Sequence, residues 1–392
     1  MKIMKGITWD HTRGFVPMVA TSQRYAELNP EIQIQWEKRS LQGFADDPIE
    51  KLAQDYDFLI IDHPHIGVMS EVGAVLPLDE YLPSDFLHDQ YINQVGHAHE
   101  NYYYNGHQWA LSIDAAAPVA SWREDKFAEL GLKLPESWSE LIALAKLGYV
   151  LLPSIPVDSL MNFYTLCLDQ SHELFTQKAT IADAETLSFA LARLKELVEC
   201  CDPKILQCNP IKAYEILAGN KEKEIYCPMA FGYSNYSREG YCDHPLSFGN
   251  VIKGPSGKPL RTVIGGAGIA VSKTCGDVNA ALDYVRYVTS PSCQRTLYFD
   301  NGGQPGHKSA WLDKRTNQAS RDFFRNTLKT LEESFTRPRY NGHMYFQDKG
   351  SMIVYQYLTE KISRQDCIKT LAHIYIESLY NENSYSQYLK IL

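Results

Sequence analysis

The first third of the chain alternates between short apolar stretches and segments whose apolar residues recur at helical spacing. Residues 3–9 and 58–61 predict strands, and the second has no polar position, as expected of a parallel strand covered on both faces. Between them, residues 16–28 predict a helix and the alternation over 32–36 predicts a half-buried strand. A further helix is predicted around residues 47–54. This order is the βαβαβ arrangement of an α/β fold.

After residue 100 the pattern changes to a hairpin followed mainly by helices. The Asn-Gly pair at residues 105–106 lies between aromatic residues and is a strong hairpin signal. Ser137 and Glu140 have the spacing of a capping box. Residues 264–271 predict a glycine-rich turn that enters a strand. Helical spacing returns in three further segments, at residues 124–130, 137–147 and 182–200.

Composition narrows the class of protein. The 392 residues suggest two or three domains, and a hydrophobic fraction of 44% excludes wholesale disorder. The 38 Lys and Arg against 47 Asp and Glu give a net charge of −9, which argues against nucleic acid as a partner. No apolar run approaches the ~18 residues of a membrane span. The 25 Tyr and 6 Trp provide more aromatic surface than a plain scaffold requires.

Nine cysteines at irregular spacing do not form a disulfide framework, so we expect reduced thiols. The first residues run straight into a predicted strand, without the apolar segment and cleavage site of a signal peptide. We therefore expect a cytoplasmic location for the sequence as it stands, and a periplasmic one if the chain has been trimmed.

Three segments carry a resemblance to a known family. Residues 104–118 read Tyr-Asn-Gly-His-Gln-Trp-Ala-Leu-Ser-Ile-Asp-Ala-Ala-Ala-Pro, residues 126–132 read Lys-Phe-Ala-Glu-Leu-Gly-Leu, and residues 135–141 read Pro-Glu-Ser-Trp-Ser-Glu-Leu. Together they closely resemble the family 1 extracellular solute-binding proteins, the binding components of ABC importers for sugars and related solutes. In that family the first phrase leads to an interdomain crossing and the others open the second lobe.

The resemblance implies an α/β, two-lobed, periplasmic-binding-protein-like fold of type II, in which each lobe is a mixed sheet flanked by helices and a hinge joins them. Lobe 1 is expected to hold residues 1–112 and 262–310, and lobe 2 residues 113–261 and 311–392. Ligand would bind in the cleft at the carboxyl ends of the strands, and the lobes would close over it. The expected partners are a small-molecule ligand and an ABC importer permease. We expect a monomer with no cofactor and no metal.

The end of the first strand supplies the first candidate ligand-binding residues. Trp9, Asp10 and His11 stand where an α/β lobe faces its cleft, and Arg13 follows in the same cluster. The alternative is an Asp10 helix cap with a surface His and Arg. Arg39 ends the second strand and could grip an anion in a bidentate manner, or form a plain surface ion pair.

The next strand end offers Asp62 and His65. They could hydrogen-bond a ligand, form a satisfied loop cluster, or act as an acid/base pair. Metal binding is disfavoured because Pro64 and strand alternation do not place the groups on one coordinating face. Asp114 lies at the expected hinge, either as a hinge carboxylate or as a ligand contact.

Later segments add aromatic and polar candidates. Tyr226, Tyr233 and Tyr236 could present rings and hydroxyls to a sugar, or pack between the lobes. Gly266 suggests a close backbone approach at the hinge or the ligand. Gln304, beside His307, either faces the cleft or caps a turn. Arg339, together with Arg337, is either an anion clamp at the cleft edge or part of a solvated loop. Cys227 is better explained as inert packing than as a nucleophile.

Two functions of different classes fit these observations. The first is a solute-binding protein that clamps a carbohydrate or an organic acid by hinge closure, without bond chemistry. The second keeps the fold but makes the chain a cytoplasmic enzyme or ligand sensor that uses the Asp and His groups at the strand ends. We favour binding over catalysis. Neighbouring permease and ATPase genes would support the first function, and catabolic or biosynthetic genes the second.

Overall fold

A computed structural model describes residues 1–46 and 49–380 of the chain. The strands are β1 Lys2–Trp9, β2 Ile32–Arg39, β3 Phe58–Ile61, β4 Tyr103–Tyr104, β5 His107–Gln108, β6 Leu111–Ala116, β7 Pro118–Trp122, β8 Tyr226–Phe231, β9 Ser247–Gly249 and β10 Gly265–Val271. The helices are α1 Thr12–Leu28, α2 Leu41–Asp46, α3 Ile49–Asp55, α4 Ile66–Val72, α5 Ser84–Ile92, α6 Glu124–Leu130, α7 Trp138–Lys146, α8 Pro156–Gln170, α9 Ala184–Glu199, α10 Pro210–Ala218, α11 Val278–Thr289, α12 Pro291–Cys293, α13 Lys308–Leu312, α14 Lys314–Ala319, α15 Phe323–Glu332, α16 His343–Leu358 and α17 Arg364–Tyr380.

Lobe 1 is built on a five-stranded mixed sheet with the order β2-β1-β3-β10-β6. β1 pairs in parallel with β2 and β3, whereas β10 runs antiparallel to β3 and β6. All four residues of β3 are buried, which confirms the strand predicted from its apolar run. Phe58 and Ile60 pack with α1 and α11 on one face, and Leu59 and Ile61 pack with α3 and α4 on the other. The alternation of strand side chains thus builds two cores from one short strand.

Lobe 2 contains an antiparallel sheet with the order β8-β7-β9. A parallel bridge between Val150 and Tyr226 makes the arrangement mixed. Helices α8, α9, α16 and α17 pack against one another around one large apolar core. The predicted α/β fold with two lobes is confirmed.

The chain crosses from lobe 1 to lobe 2 within one residue. β6 belongs to the five-stranded sheet and β7 to the smaller sheet, and Ala117 alone separates them. The lobe boundary predicted between residues 112 and 113 falls inside β6. Of the segment assigned to lobe 2 by the resemblance, residues 381–392 lie outside the described part of the chain.

Local signals in the sequence were accurate where backbone chemistry decides the conformation. The hairpin between β4 and β5 has positive φ at Asn105 (50°) and Gly106 (87°), as its Asn-Gly turn requires. Ser137 and Glu140 form the predicted capping box of α7. The helix predicted at residues 47–54 corresponds to α3, and residues 47–48 lie outside the described part of the chain.

The strand predicted within residues 264–271 is confirmed as β10. The glycine-rich turn predicted before it is not present as such, because Gly265 and Gly266 already belong to the strand, where they allow neighbouring groups to approach closely. The helix predicted at residues 16–28 is confirmed as part of α1, although its apolar positions Val16, Val19 and Leu28 are exposed. The helix instead buries a face that includes Met18 and Tyr25.

Candidate ligand-binding site

A cavity of about 210 Å³ lies between the two lobes, at the carboxyl ends of β1, β3 and β6. This is the position at which open α/β sheets bind ligands. Lobe 1 contributes Trp9, Arg13, Leu41, Phe44, Asp62, Asp114, Ala116, Gly265, Gly266 and Ala267 to its lining. Lobe 2 and the segment before α16 contribute Ile155, Val157, Asp158, Met161, Asn209, Pro210, Phe231, Tyr233, Arg337 and Gln347.

Aromatic rings line the cavity from both lobes. The Trp9 ring is buried and packs against the backbone of Gly14, where any Cβ would collide with it. The ring centroid of Phe44 lies 5.1 Å from that of Trp9. Phe231 and Tyr233 come from the end of β8 and the loop after it, on the opposite lobe. The site therefore has the apolar walls typical of a small-molecule pocket.

Arg13 is held by a buried ion pair at the base of the cavity. Its Nε donates to Asp114 Oδ2 at 2.7 Å, and its Nη2 donates to the other oxygen of the same carboxylate. Its Nη1 donates to the carbonyl oxygen of Gly232 at 2.7 Å, and its guanidinium lies 4.5 Å from the ring centroid of Tyr233. One arginine thus connects α1 and β6 of lobe 1 to the loop after β8 of lobe 2.

A second ion pair joins the end of β3 to the segment before α16. Arg337 Nη2 donates to both oxygens of Asp62, at 2.9 and 2.7 Å, and Nη1 donates to Gln347 Oε1 at 3.0 Å. Burial alone would raise the pKa of the Asp62 carboxyl. The charge of Arg337 and hydrogen bonds from His63 and Arg337 outweigh burial and hold that pKa below its ordinary value. The pair is ionised and links the two lobes.

Asp158 is the third carboxylate of the cavity, and it differs from the other two. It lies in the first turn of α8 and is 7% exposed. Its Oδ2 is buried, and no described residue donates a hydrogen bond to it or forms an ion pair with it. Burial raises its pKa to about 8. Its position in the first turn of α8 places the carboxyl group at the helix end whose dipole favours a negative charge.

Five of the thirteen predicted ligand-binding residues line the cavity, namely Trp9, Asp62, Asp114, Tyr233 and Gly266. Gly266 has φ of 115°, and a Cβ there would collide with the carbonyl oxygen of Asp114. Its predicted role in a close backbone approach is thus explained by the pairing of β10 with β6.

Four other predicted residues, from the ends of the first three strands, lie outside the cavity. Asp10 is exposed and pairs with Lys38 at 2.7 Å. His11 caps α1 by accepting a hydrogen bond from Arg13 N, and burial lowers its pKa to about 4. Arg39 donates to the carbonyl oxygens of Gly43 and Ile60, so it braces the sheet edge. His65 is buried beneath the start of α4.

The remaining four serve packing or hold segments together. Tyr226 is buried in the core of lobe 2 beside Phe127. The Tyr236 hydroxyl donates to Glu215 at 2.6 Å. Gln304 accepts from Ser234 N and donates to the carbonyl oxygen of Ala115, and Arg339 donates to the carbonyl oxygens of Glu100 and Tyr103. Gln304 and Arg339 are thus held by backbone partners and Tyr236 by a carboxylate, and none of the four residues lines the cavity.

Sequence reasoning missed the cavity residues that come from helices. Asp158, Met161 and Asn209 lie in or beside the first turns of α8 and α10, and Phe44 lies in α2. A single Asp in a first helical turn is common, so it gave no signal. An apolar stretch with one carboxylate near a helix start, as at residues 150–163, was the available hint.

Metal binding and cysteine nucleophilic chemistry have little support among the described residues. No group of three or more His, Cys, Asp or Glu side chains is placed there to hold a metal ion. Cys227 is fully buried, and burial raises the pKa of its thiol. In the same part of the chain, no helix is long and apolar enough to cross a membrane.

No protein-family model matches the sequence, and no curated protein matches it. Solved structures do match. Maltose-bound MalE3 of T. maritima aligns with TM-score 0.79 and 16% identity, over 95% of this chain and 98% of that one. An ABC transporter solute-binding protein of Agrobacterium radiobacter K84 in complex with ribitol aligns with TM-score 0.79 and 16% identity, over 96% and 98%. One of Thermotoga lettingae TMO bound with α-D-tagatose aligns with TM-score 0.80 and 15% identity, over 97% and 100%.

These similarities extend over nearly the full length of both chains. At such low identity they establish architecture and leave the ligand open. The chain therefore has the two-lobed fold of the ABC transporter solute-binding proteins.

Proposed function

We propose that this chain is a solute-binding protein that holds a small polar ligand of the sugar or polyol class between its lobes. One observation carries the proposal: the cavity draws its lining from both lobes and combines aromatic walls with converging polar groups. Its proposed partner is the permease of an ABC importer, the kind of transporter that similarly folded proteins are named for.

The size and chemistry of the cavity favour this ligand class. A volume of about 210 Å³ lies below the ~300–1,000 Å³ of typical ligand pockets, which suits a small solute. Trp9, Phe44 and Phe231 line the cavity with aromatic rings, a type of side chain that suits the C–H face of a sugar. Proteins of the same fold hold maltose, ribitol and tagatose. An organic acid fits less well, because both cavity arginines are already paired with carboxylates.

Contacts between the lobes support capture by closure. The Arg13 contact with Gly232 and the ion pair of Asp62 with Arg337 both join lobe 1 to residues across the cavity. Thr12 Oγ1 and the hydroxyl of Tyr241 lie 2.7 Å apart, and this contact joins the start of α1 to the loop before β9. A ligand enters only when such contacts part, so binding and hinge closure are coupled in this proposal.

A thermal-shift screen of sugars, polyols and organic acids tests the function. A ligand at 100 times its dissociation constant should stabilise the protein by about 2.7 kcal/mol. Each ligand identified is then measured by calorimetry against Phe44→Ala and Tyr233→Ala, both of which should weaken binding at least about tenfold. Tyr81→Ala is the matched control, since this exposed ring lies outside the cavity lining.

Nuclear magnetic resonance of the ligand after long incubation separates binding from catalysis. An unchanged ligand with the expected loss in both cavity variants supports the proposal. Consumption of the ligand would show an enzyme, and equal affinity in the wild type and both cavity variants would move the site elsewhere.

A further inference from the structure

Asp158 is a carboxyl group without a counter-charge, whereas the other charged side chains that line the cavity are paired. It keeps its proton at pH 7 in the ligand-free protein and would ionise opposite a bound cation. Arg13 and Asp114 neutralise each other, and so do Arg337 and Asp62. No lysine is among the described residues that line the cavity. When all three carboxylates are ionised, the lining carries one net negative charge, and that charge belongs to Asp158.

The described neighbours of Asp158 provide neither a hydrogen bond to its Oδ2 nor a positive charge. Its Oδ2 has no hydrogen-bond partner, although the residue is only 7% exposed. The titratable groups near it are Tyr233 and Cys227, whose pKa values burial raises, so both are neutral at pH 7. The apolar side chains of Ile155 and Met161 line the same side of the cavity. An unpartnered buried carboxyl group is costly to ionise, and a bound ligand or ion of opposite charge is one arrangement that satisfies it.

The aromatic residues of the cavity favour the same sign of charge. Trp9, Phe44, Phe231 and Tyr233 present ring faces or edges to it. Ring faces attract cations through their quadrupole, as the guanidinium of Arg13 over Tyr233 shows. A carboxylate facing aromatic walls is a common way to recognise an ammonium group.

We infer that the solute bound in the cleft carries a protonated amine, as an amino sugar or an aminopolyol does, and that Asp158 is its counter-ion. The inference rests on the proposed solute-binding function and narrows its ligand class. Hydroxyl groups of the same solute would contact Asn209 and Gln347, and its C–H face would stack on Trp9 or Phe231.

Matched pairs of probes that differ only in an amine test this inference. Suitable pairs are D-glucosamine with D-glucose, D-galactosamine with D-galactose, and 1-amino-1-deoxy-D-glucitol with D-glucitol, measured by calorimetry at pH 7. The wild type should bind at least one amine about 30-fold or more tightly than its hydroxyl partner. Asp158→Asn should remove most of that preference while changing the affinity for the hydroxyl partner by less than about threefold. Glu199→Gln removes a carboxylate on an exposed face of α9 and should leave both affinities unchanged.

The outcomes separate the inference from the function on which it rests. A preference for the hydroxyl members, or an amine preference that survives in Asp158→Asn, overturns the inference and leaves solute binding intact. Failure of every probe and of the wider sugar and polyol screen overturns the proposed function, and the inference with it. Circular dichroism of Asp158→Asn confirms that a loss of binding does not come from a loss of fold.

Discussion

Replacing Asp158 with asparagine should stabilise the ligand-free protein, by an amount that grows with pH. In the unfolded chain the carboxyl has its ordinary pKa of 3.8, and in the folded protein burial raises the pKa to about 8. Between these values the folded protein keeps a proton that the unfolded chain has released. The contribution of Asp158 to the free energy of unfolding is therefore most favourable below pH 4, and it becomes less favourable as the pH rises towards 8.

The size of the effect follows from the same two pKa values. The interval between the unfolded pKa of 3.8 and pH 7 is about 3.2 pH units, and each unit corresponds to about 1.36 kcal/mol. Asp158 therefore lowers the free energy of unfolding by at most about 4 kcal/mol at pH 7. At pH 5 the cost falls to between about 1 and 2 kcal/mol. Asparagine is nearly the same size and cannot ionise, so the variant avoids this cost at every pH.

Urea unfolding followed by circular dichroism, at half-unit steps from pH 5 to 9, measures the difference. The stability gain of Asp158→Asn over the wild type should rise by up to about 1.4 kcal/mol per pH unit and level off near pH 8. Glu199→Gln should follow the wild-type curve, because its carboxylate is mostly exposed. A gain that is independent of pH, or a variant less stable than the wild type at pH 8, would refute the assignment of Asp158 as an unpartnered buried carboxyl.

Two further substitutions test the frame around the cavity. Arg337→Met should destabilise the protein by about 3–5 kcal/mol in urea, because it leaves Asp62 without its counter-charge. Adding Asp62→Asn should recover part of that loss, and strict additivity of the two changes would contradict an ion pair. Gly266→Ala should cost about 1–3 kcal/mol, because φ is 115° there and the new Cβ meets the carbonyl oxygen of Asp114. Gly276→Ala, where a Cβ meets open space, should change the melting temperature little, and equal shifts for both glycines would remove the strain argument.

The parts of the fold that sequence predicted well depend on local chemistry. The apolar run of β3, the Asn-Gly hairpin and the Ser137–Glu140 capping box each specify their conformation within a few residues. The start of β10 was harder, because Gly265 and Gly266 look like a turn until β6 is placed beside them. The exposed valines of α1 show the same limit, since which face of a helix is buried depends on the sheet that it meets.

The candidate site was predictable only where it coincides with strand ends. Trp9, Asp62 and Asp114 lie at or near the ends of β1, β3 and β6, and α/β topology brings such positions together. Arg39 and His65 follow the same rule in the sequence, but the structure directs Arg39 to backbone carbonyls and buries His65 under α4. Strand position thus predicts proximity to the cleft and does not predict which way a side chain points.

The residues that the sequence pattern finds and those that it misses do different work in the cavity. Asp62 forms an ion pair with Arg337, and Asp114 forms one with Arg13. These strand-end carboxylates therefore fix the geometry of the cleft and connect its two sides. Asp158, on a helix of lobe 2, is the carboxylate left free to meet a solute. In a site for an anionic ligand, we would expect an unpaired arginine in place of an unpaired carboxyl group. The balance of charge across the cleft, which only the tertiary structure shows, is therefore the strongest guide to its ligand.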